Sequence, residues 1–306
     1  MRESTMIIAE NEKNPPRVCV LDASTYVGFC LVKKLLIRGY NVHAAVTTNG
    51  EKELVKKIGG LERTENGRLT MFTVDVLDYH SILEALRLCS GLFCCLDSPD
   101  KYDGKMVDSE VRGTINVLEG CAQTQSIHKI VFTSSLTAAV WTQNICSKKD
   151  VDERSWSDSD FCTKFKLWYA LAKTLCEKEA WALAMDRMLN MVCINAGLVT
   201  GPDVARLNPQ PTLSYLQGAE QMYVNGVLAT VDINFLADVH IRAFEDSSTS
   251  GRYFCFDQIV TSEAEAVKLA KCLSPLISIP SRYEWQESEV HGERLRNMKL
   301  TKLIAY

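Results

Sequence analysis

The sequence predicts an α/β fold: a doubly wound parallel sheet with a smaller C-terminal α+β lobe. Three observations predict it. From Arg17 onward, runs rich in β-branched residues alternate with amphipathic helical runs, the pattern of parallel strands joined by crossover helices. The first strand ends in a short turn that opens directly into a helix, the place where such sheets hold a ligand. After Asn195 the alternation breaks down in GLVTGPDVARLNPQP, which carries three of the eight prolines, and irregular fragments follow to Tyr306.

RVCVLD (17 to 22) reads as a buried strand. The helix after it begins near Tyr26, with Val27, Leu31, Leu35 and Leu36 on its inner face, and stops at Arg38-Gly39, where glycine supplies the C-terminal turn. NVHAAV (41 to 46), LTMFTVD (69 to 75), GLFCCL (91 to 96), KIVFTSS (129 to 135) and LNMVCIN (189 to 195) are the next five strands. The expected division is a flexible N-terminus over 1–16, a dinucleotide-binding domain over 17–195 and a substrate lobe over 196–306. Within that lobe, VDINFLADVHIRAFED (231 to 246) is expected to return to the sheet.

Composition narrows the function class. With 306 residues, 46% hydrophobic and 24% charged, the chain is an ordinary globular one. Its 34 Lys+Arg against 38 Asp+Glu leave a net charge of -4, too acidic for a nucleic-acid binder, so small molecules and proteins are the expected partners. The 12 cysteines are scattered without a CxxC pair, which points to small hydrophobes in a reducing compartment. The first residues fit neither a secretory signal nor a transit peptide, and no apolar stretch is long enough to span a membrane. A cytoplasmic protein, monomer or homodimer, with no nucleic-acid or membrane partner, is expected. The five histidines show no ligand spacing, so no metal site is expected.

The turn after the first strand, Asp22-Ala23-Ser24-Thr25-Tyr26-Val27-Gly28, stands where a Rossmann-like fold carries its glycine fingerprint. Only the last glycine position is filled: Gly28 permits close helix-strand packing, while Asp22 and Thr25 replace the earlier glycines. A carboxylate about 5 Å from a phosphate would cost ~3 kcal/mol at an effective dielectric of 20. Ser24 and Thr25 offset this with hydroxyl and amide donors at a helix N-terminus, and Asp22 can turn aside onto amides of its own turn. The alternative is a strand-to-helix turn in a fold that has lost its nucleotide. Ser24, Thr25, Tyr26, Val27 and Gly28 are the candidate cofactor contacts here. Beyond the second strand, Thr47-Thr48-Asn49 is neither acidic, as NAD ribose binding prefers, nor basic, as the extra phosphate of NADP prefers. Asp75, with Val76 after it, ends the third strand where a carboxylate can accept from an adenine amino group. Its other reading is a residue at a helix N-terminus.

The strongest signal is Tyr169-Ala170-Leu171-Ala172-Lys173. Apolar residues at 165, 168, 172, 176, 180 and 183 predict a helix that sets Tyr169 and Lys173 one turn apart on one face. A tyrosine serves as a general acid near neutral pH if its pKa falls below the usual ~10, and the field of a lysine one turn away is expected to lower it. Lys173 can also hold the ribose hydroxyls of a nicotinamide cofactor. Ser135, ending the fifth strand, can hydrogen-bond the same carbonyl oxygen that Tyr169 protonates.

Taken in order, VCVLDASTYVG, TVDVLD, GTINVLEGC, KIVFTSSLTAAV, WYALAK and INAGLVTGP resemble the extended short-chain dehydrogenase/reductases. Within them the chain is most similar to the plant cinnamoyl-CoA reductase and dihydroflavonol reductase group. The resemblance implies a Ser-Tyr-Lys triad at Ser135, Tyr169 and Lys173, an adenine-binding Asp75, and NADP as cofactor, with NAD an alternative. The family's NADP-binding arginine falls on Thr47, and its turn departs at Leu21, Asp22 and Thr25. Cinnamoyl-CoA reductases carry a longer motif that Leu167, Ala170, Leu171 and Ala172 break. The resemblance thus implies an NAD(P)H-dependent reductase of an aromatic or acyl-CoA carbonyl, of the kind met in phenylpropanoid and lignin metabolism. The alternative is a Rossmann-fold dinucleotide-binding regulatory protein with weak or no turnover.

Overall fold

Alternation of apolar side chains decides the architecture. In the computed structural model, which describes residues 15–47, 52–62, 67–98, 100–143, 149–277 and 292–305, strand β1 (Arg17–Leu21) sends Val18 and Val20 into one apolar layer and Cys19 and Leu21 into the other. Both faces of the sheet are therefore covered, as crossover helices require. Most of the N-terminal stretch read as flexible (residues 1–14), together with Thr48, Asn49 and His291, lies outside the described residues.

The chain continues through α1 (Tyr26–Ile37), β2 (Asn41–Thr47), α2 (Lys52–Glu62), β3 (Leu69–Val74), α3 (Tyr79–Leu86) and β4 (Gly91–Cys94). The second half of the sheet follows with α4 (Gly104–Gln123), β5 (Lys129–Ser135), the short α5 (Thr137–Val140) and α6 (Ser159–Lys164), α7 (Trp168–Asp186) and β6 (Met191–Ala196). Next come β7 (Leu198–Thr200), α8 (Val204–Leu207), α9 (Pro209–Tyr215), α10 (Ala219–Val224) and β8 (Ala229–Asp232). The last elements are α11 (Ile233–Glu245), β9 (Gly251–Cys255), β10 (Gln258–Ile259), α12 (Glu263–Leu273) and α13 (Met298–Ile304).

Seven parallel strands form the main sheet in the order β3-β2-β1-β4-β5-β6-β9, and β10-β8-β7 form a small mixed sheet. Residues of α1, α2, α11 and α13 join one apolar layer, and residues of α3, α4 and α7 the other. Strand order reverses between β1 and β4, so the crevice at their carboxyl ends is the ligand position of a doubly wound sheet.

Three details differ from the sequence reading. The seventh strand, β9, comes from the far end of the chain and pairs with β6, from Val192 opposite Gly251 to Ala196 opposite Cys255. Its short RYFC core is recognisable as a strand only beside that distant partner. The 231–246 segment divides: β8 belongs to the small sheet, and Asp232 caps α11 through the amides of Asn234 and Phe235. That helix packs on α1 and β5 of the main sheet. Finally, the apolar spacing from 165 to 183 predicted a single helix, yet the chain breaks before Trp168. Phe165 closes α6, Lys166 adopts a left-handed conformation with φ 55, and α7 starts afresh.

The eleven described cysteines are all free, and nine of them are buried. Among the described residues no helix is long and apolar enough to cross a membrane.

Candidate active site

The turn after β1 is organised by Asp22. Its carboxylate is buried and folds back, accepting from the Ser24 amide at 2.8 Å, the Ser24 hydroxyl at 2.5 Å and the Thr47 hydroxyl at 2.5 Å. Burial nevertheless pushes the Asp22 carboxyl above its ordinary range, with the Ser24 and Thr47 hydrogen bonds pulling the other way. Ser24 and Thr47, both candidate cofactor contacts, thus spend their hydroxyls on Asp22.

Thr25 is the N-cap of α1: its Oγ1 accepts from the Gly28 amide at 3.0 Å and donates to the Asp22 carbonyl at 2.9 Å. Gly28 is obligatory, because a Cβ there would fall 2.0 Å from the Asp22 carbonyl oxygen. Tyr26 turns its hydroxyl to the Pro202 carbonyl at 2.7 Å, tying the turn to the loop after β7. Val27 lines the cleft beside Thr25 and Tyr26.

Asp75 is exposed and accepts from the Leu77 amide at 2.9 Å. The Val76 side chain packs where only Gly113 leaves room on α4, and its carbonyl accepts from Asn116. Neither residue lines the cleft next to Tyr169.

Ser135, Tyr169 and Lys173 do converge. They line one cleft together with Thr25, Tyr26 and Val27 from the turn, Leu198 from β7 and Pro211 and Tyr215 from α9. The hydroxyl of Ser135 accepts from the Thr137 amide at 3.2 Å and the Thr137 hydroxyl at 3.0 Å, which leaves its own proton for a third partner. Ser134 points the opposite way and donates to Glu177 at 2.8 Å.

Lys173 is buried and already clamped. Its Nζ donates to the Leu96 carbonyl at 2.8 Å and to Glu110 Oε1 at 2.7 Å, and Asp97 Oδ1 lies 3.5 Å away. Tyr102 donates to Asp97 at 2.8 Å and sets its ring edge-on to Tyr169, 5.1 Å between centres. These neighbours reverse one expectation. Burial drives the Tyr169 phenol well above its ordinary value; Asp97 and Glu110 add to the rise, while Lys173 and the Ser135 hydrogen bond oppose it. For Lys173, burial favours the neutral amine, but Asp97 and Glu110 outweigh it and keep the ammonium form.

Asp97 follows the fourth strand, where the sequence offers it either to a cofactor or as a loop cap; Glu110 is the residue that the sequence reading misses. The signal for Glu110 was present: Val107, Thr114, Val117 and Cys121 share its stripe of α4 and are all buried, so a carboxylate at 110 faces inward. No local pattern reveals that α4 packs on α7, which is what brings Glu110 to Lys173.

The pattern of the 3-beta hydroxysteroid dehydrogenase/isomerase family matches residues 19–257. The chain belongs to that family. It is an oxidoreductase of the extended short-chain dehydrogenase/reductase type, a family dependent on NAD(P). It is 33% identical to cinnamoyl-CoA reductase 1 of Petunia hybrida over 292 residues, 94% of this chain and 86% of that protein. To the bifunctional dihydroflavonol 4-reductase/flavanone 4-reductase of Malus domestica it is 30% identical over 301 residues, 94% of this chain and 84% of the relative. Among solved structures, yeast methylglyoxal/isovaleraldehyde reductase complexed with NADPH superimposes with a TM-score of 0.71 at 19% identity, covering 95% of this chain and 93% of that one. That likeness is one of fold.

Proposed function

We propose that the protein reduces the carbonyl of an aromatic or acyl-CoA small molecule with NADPH, NADH being the alternative donor, and that Ser135, Tyr169 and Lys173 carry the chemistry. The observation that carries this reading is the convergence of those three side chains on one cleft whose opposite wall is the helix-capped turn Thr25–Val27.

The turn suits a dinucleotide in two respects. The bare Cα of Gly28 lets α1 sit hard against the strand end, and the first amides of α1, at Tyr26 and Val27, have no carbonyl of their own helix to bind. Those amides, with Thr25, would hold the phosphates, and Lys173 would hold the ribose next to the reacting centre. When bound, the nicotinamide supplies the hydride. Tyr169 gives its proton to the carbonyl oxygen, Ser135 donates its free proton to the same oxygen, and Lys173 fixes charge beside them. Tyr215, with its ring centre 6.4 Å from that of Tyr169, and the neighbouring Leu198 and Pro211 offer an apolar wall suited to an aromatic ring.

A hydroxycinnamoyl-CoA is the substrate class most in keeping with the relatives' names: reduction would give a hemithioacetal that collapses to aldehyde and free thiol. The test is turnover of hydroxycinnamoyl-CoA thioesters and of simple aromatic aldehydes by wild type and Tyr169→Phe. A loss on the order of 10²-fold or more is expected. Wild-type turnover in Tyr169→Phe would overturn the role given to Tyr169.

One observation favours a second reading, a regulatory protein that binds cofactor weakly and turns over little. The Asp22 carboxylate already occupies the Ser24 amide, a donor that a phosphate would use. Titration with NADPH and NADH, followed by nicotinamide fluorescence, separates the two: micromolar binding supports the reductase, and no binding at millimolar concentration supports the regulatory protein.

A further inference from the structure

One side of α9 carries a polar group that the protein itself does not use. Thr212 and Tyr215, three residues apart and so on one face of the helix, are its two buried residues, and both line the cleft beside Tyr169. The Tyr215 hydroxyl donates to the Ala229 carbonyl at 3.4 Å, which ties the helix to β8. Thr212 has no such tie: its Oγ1 is buried and without a hydrogen-bond partner among the described residues. A helical threonine can return its proton to the carbonyl four residues earlier, and Thr124, Thr163, Thr174 and Thr301 do so at 2.6 to 3.3 Å. The carbonyl four residues before Thr212, that of Asn208, accepts the Thr212 amide at 3.2 Å but not its hydroxyl.

Other polar side chains of the cleft are committed. Ser134 is spent on Glu177, the Thr133 hydroxyl lies 2.8 Å from His240 Nε2, and Lys173 is clamped by Leu96 and Glu110. On the wall built from β7 and α9, Leu198, Val199 and Pro211 are apolar and Tyr215 uses its hydroxyl on Ala229, which leaves the Thr212 hydroxyl free. An unpaired buried hydroxyl is unfavourable until a ligand oxygen meets it. We propose that Thr212 is a specificity-determining residue whose hydroxyl pairs with a hydroxyl on the aromatic ring of the substrate, so that the cleft selects phenolic carbonyl compounds over their unhydroxylated counterparts. The Thr212 and Tyr215 positions lie about 4.5 Å apart along the helix axis, a separation that one aromatic ring spans. With the substrate carbonyl at Ser135 and Tyr169 and the ring against Tyr215, the far edge of the ring comes to Thr212. A threonine hydroxyl both donates and accepts, so it serves a phenol in either sense. A substrate without that hydroxyl leaves Thr212 unpaired, and this difference is what discriminates.

This inference rests on the reductase reading and deepens it by naming a substrate class. The probes are pairs that differ by one ring hydroxyl: 4-hydroxycinnamoyl-CoA with cinnamoyl-CoA, and 4-hydroxybenzaldehyde with benzaldehyde. Within each pair the ratio of kcat/KM is measured, and calorimetry of the same compounds, with and without NADP, reads binding apart from turnover. Wild type is expected to favour the hydroxylated member of at least one pair by about tenfold or more. Thr212→Val keeps the shape and removes the hydroxyl, so that preference should fall to near unity. Its thermal midpoint should stay at or above that of wild type, because an unpaired buried hydroxyl has gone. Thr212→Ser should keep most of the preference, and Thr212→Ala should lose it and decides the matter if the valine variant does not fold. A wild type without preference in either pair overturns the proposal, as does a preference unchanged in the folded valine or alanine variant. An equal loss on both members together with weaker NADPH binding also overturns it and gives the hydroxyl to the cofactor. If no probe is turned over, the reductase reading fails; a Thr212-dependent preference in calorimetry then leaves the phenol contact standing, and its absence overturns that too.

Discussion

Glu177 lies one helical turn beyond Lys173 and is held 2.6 Å from the guanidinium of Arg252, a residue of the last strand of the main sheet. Both side chains are buried, and Glu177 also accepts from Ser134 and from Asn195 at 2.7 Å. Arg252 stacks on the Trp156 ring at 3.9 Å and donates to the carbonyls of Glu153 and Ser155. The acidic segment 152–158 before α7 is therefore pinned through its backbone. Removing one member of such a pair strands the other charge. Arg252→Ala is expected to cost on the order of 3 to 5 kcal/mol in urea unfolding, and a Glu177→Leu/Arg252→Met double variant should recover part of that loss. Equal stability of Arg252→Ala and wild type would show that the ion pair contributes nothing net.

The Asp22 carboxylate holds, from within the turn, the Ser24 amide that a phosphate would use. Replacing it with asparagine removes the charge while keeping one oxygen for the Ser24 donors. NADPH is expected to bind Asp22→Asn about tenfold tighter or better at neutral pH, by removal of a like-charge interaction worth ~3 kcal/mol at 5 Å. Fluorescence titration reads this directly, and weaker binding by the variant would mean that the carboxylate organises the site more than it opposes the ligand.

Buried His240 gives an acid-lability prediction. Burial lowers its pKa to about 4, with the hydrogen bond to the Leu236 carbonyl pulling the other way. Its Nε2 sits 2.8 Å from the Thr133 hydroxyl and its Nδ1 2.8 Å from that carbonyl, an arrangement that suits the neutral ring. The folded value lies below the unfolded one of ~6.5, so the contribution is complete above pH 6.5 and is lost as pH falls toward 4. About 3 kcal/mol is at stake. Denaturation midpoints at pH 7 and pH 4.5 should differ less in His240→Gln than in wild type.

At Gly28 an added methyl would lie 2.0 Å from the Asp22 carbonyl oxygen, a clash with backbone that no side-chain rotation relieves. Gly28→Ala is expected to lower the thermal midpoint by several degrees and to weaken NADPH binding together with it, since α1 must move away from the strand end. A variant as stable as wild type would mean that the turn is softer than its packing implies.

What could be read in advance follows from the range of the interactions. Six parallel strands and the Tyr169–Lys173 spacing are local patterns of period two and 3.6, and both stand in the structure. Partnerships across the chain were hidden. Glu110 reaches Lys173 over 63 positions, and β9 finds β6 only across residues 197–250, which fold into other strands and helices in between. The fold-back of Asp22 was foreseeable on its own turn, through Ser24, but not toward Thr47, because that bond needs β1 and β2 side by side.

The pairing of β9 with β6 has a practical consequence for anyone cutting this chain. A fragment ending near Asn195 would present β6 as a raw sheet edge, with Val192 and Ile194 at its rim and its outer row of amides and carbonyls bare. It would also leave Glu177 without the guanidinium that neutralises it. Such a half is a template for aggregation, so the nucleotide-type sheet has to be expressed with its distant seventh strand attached.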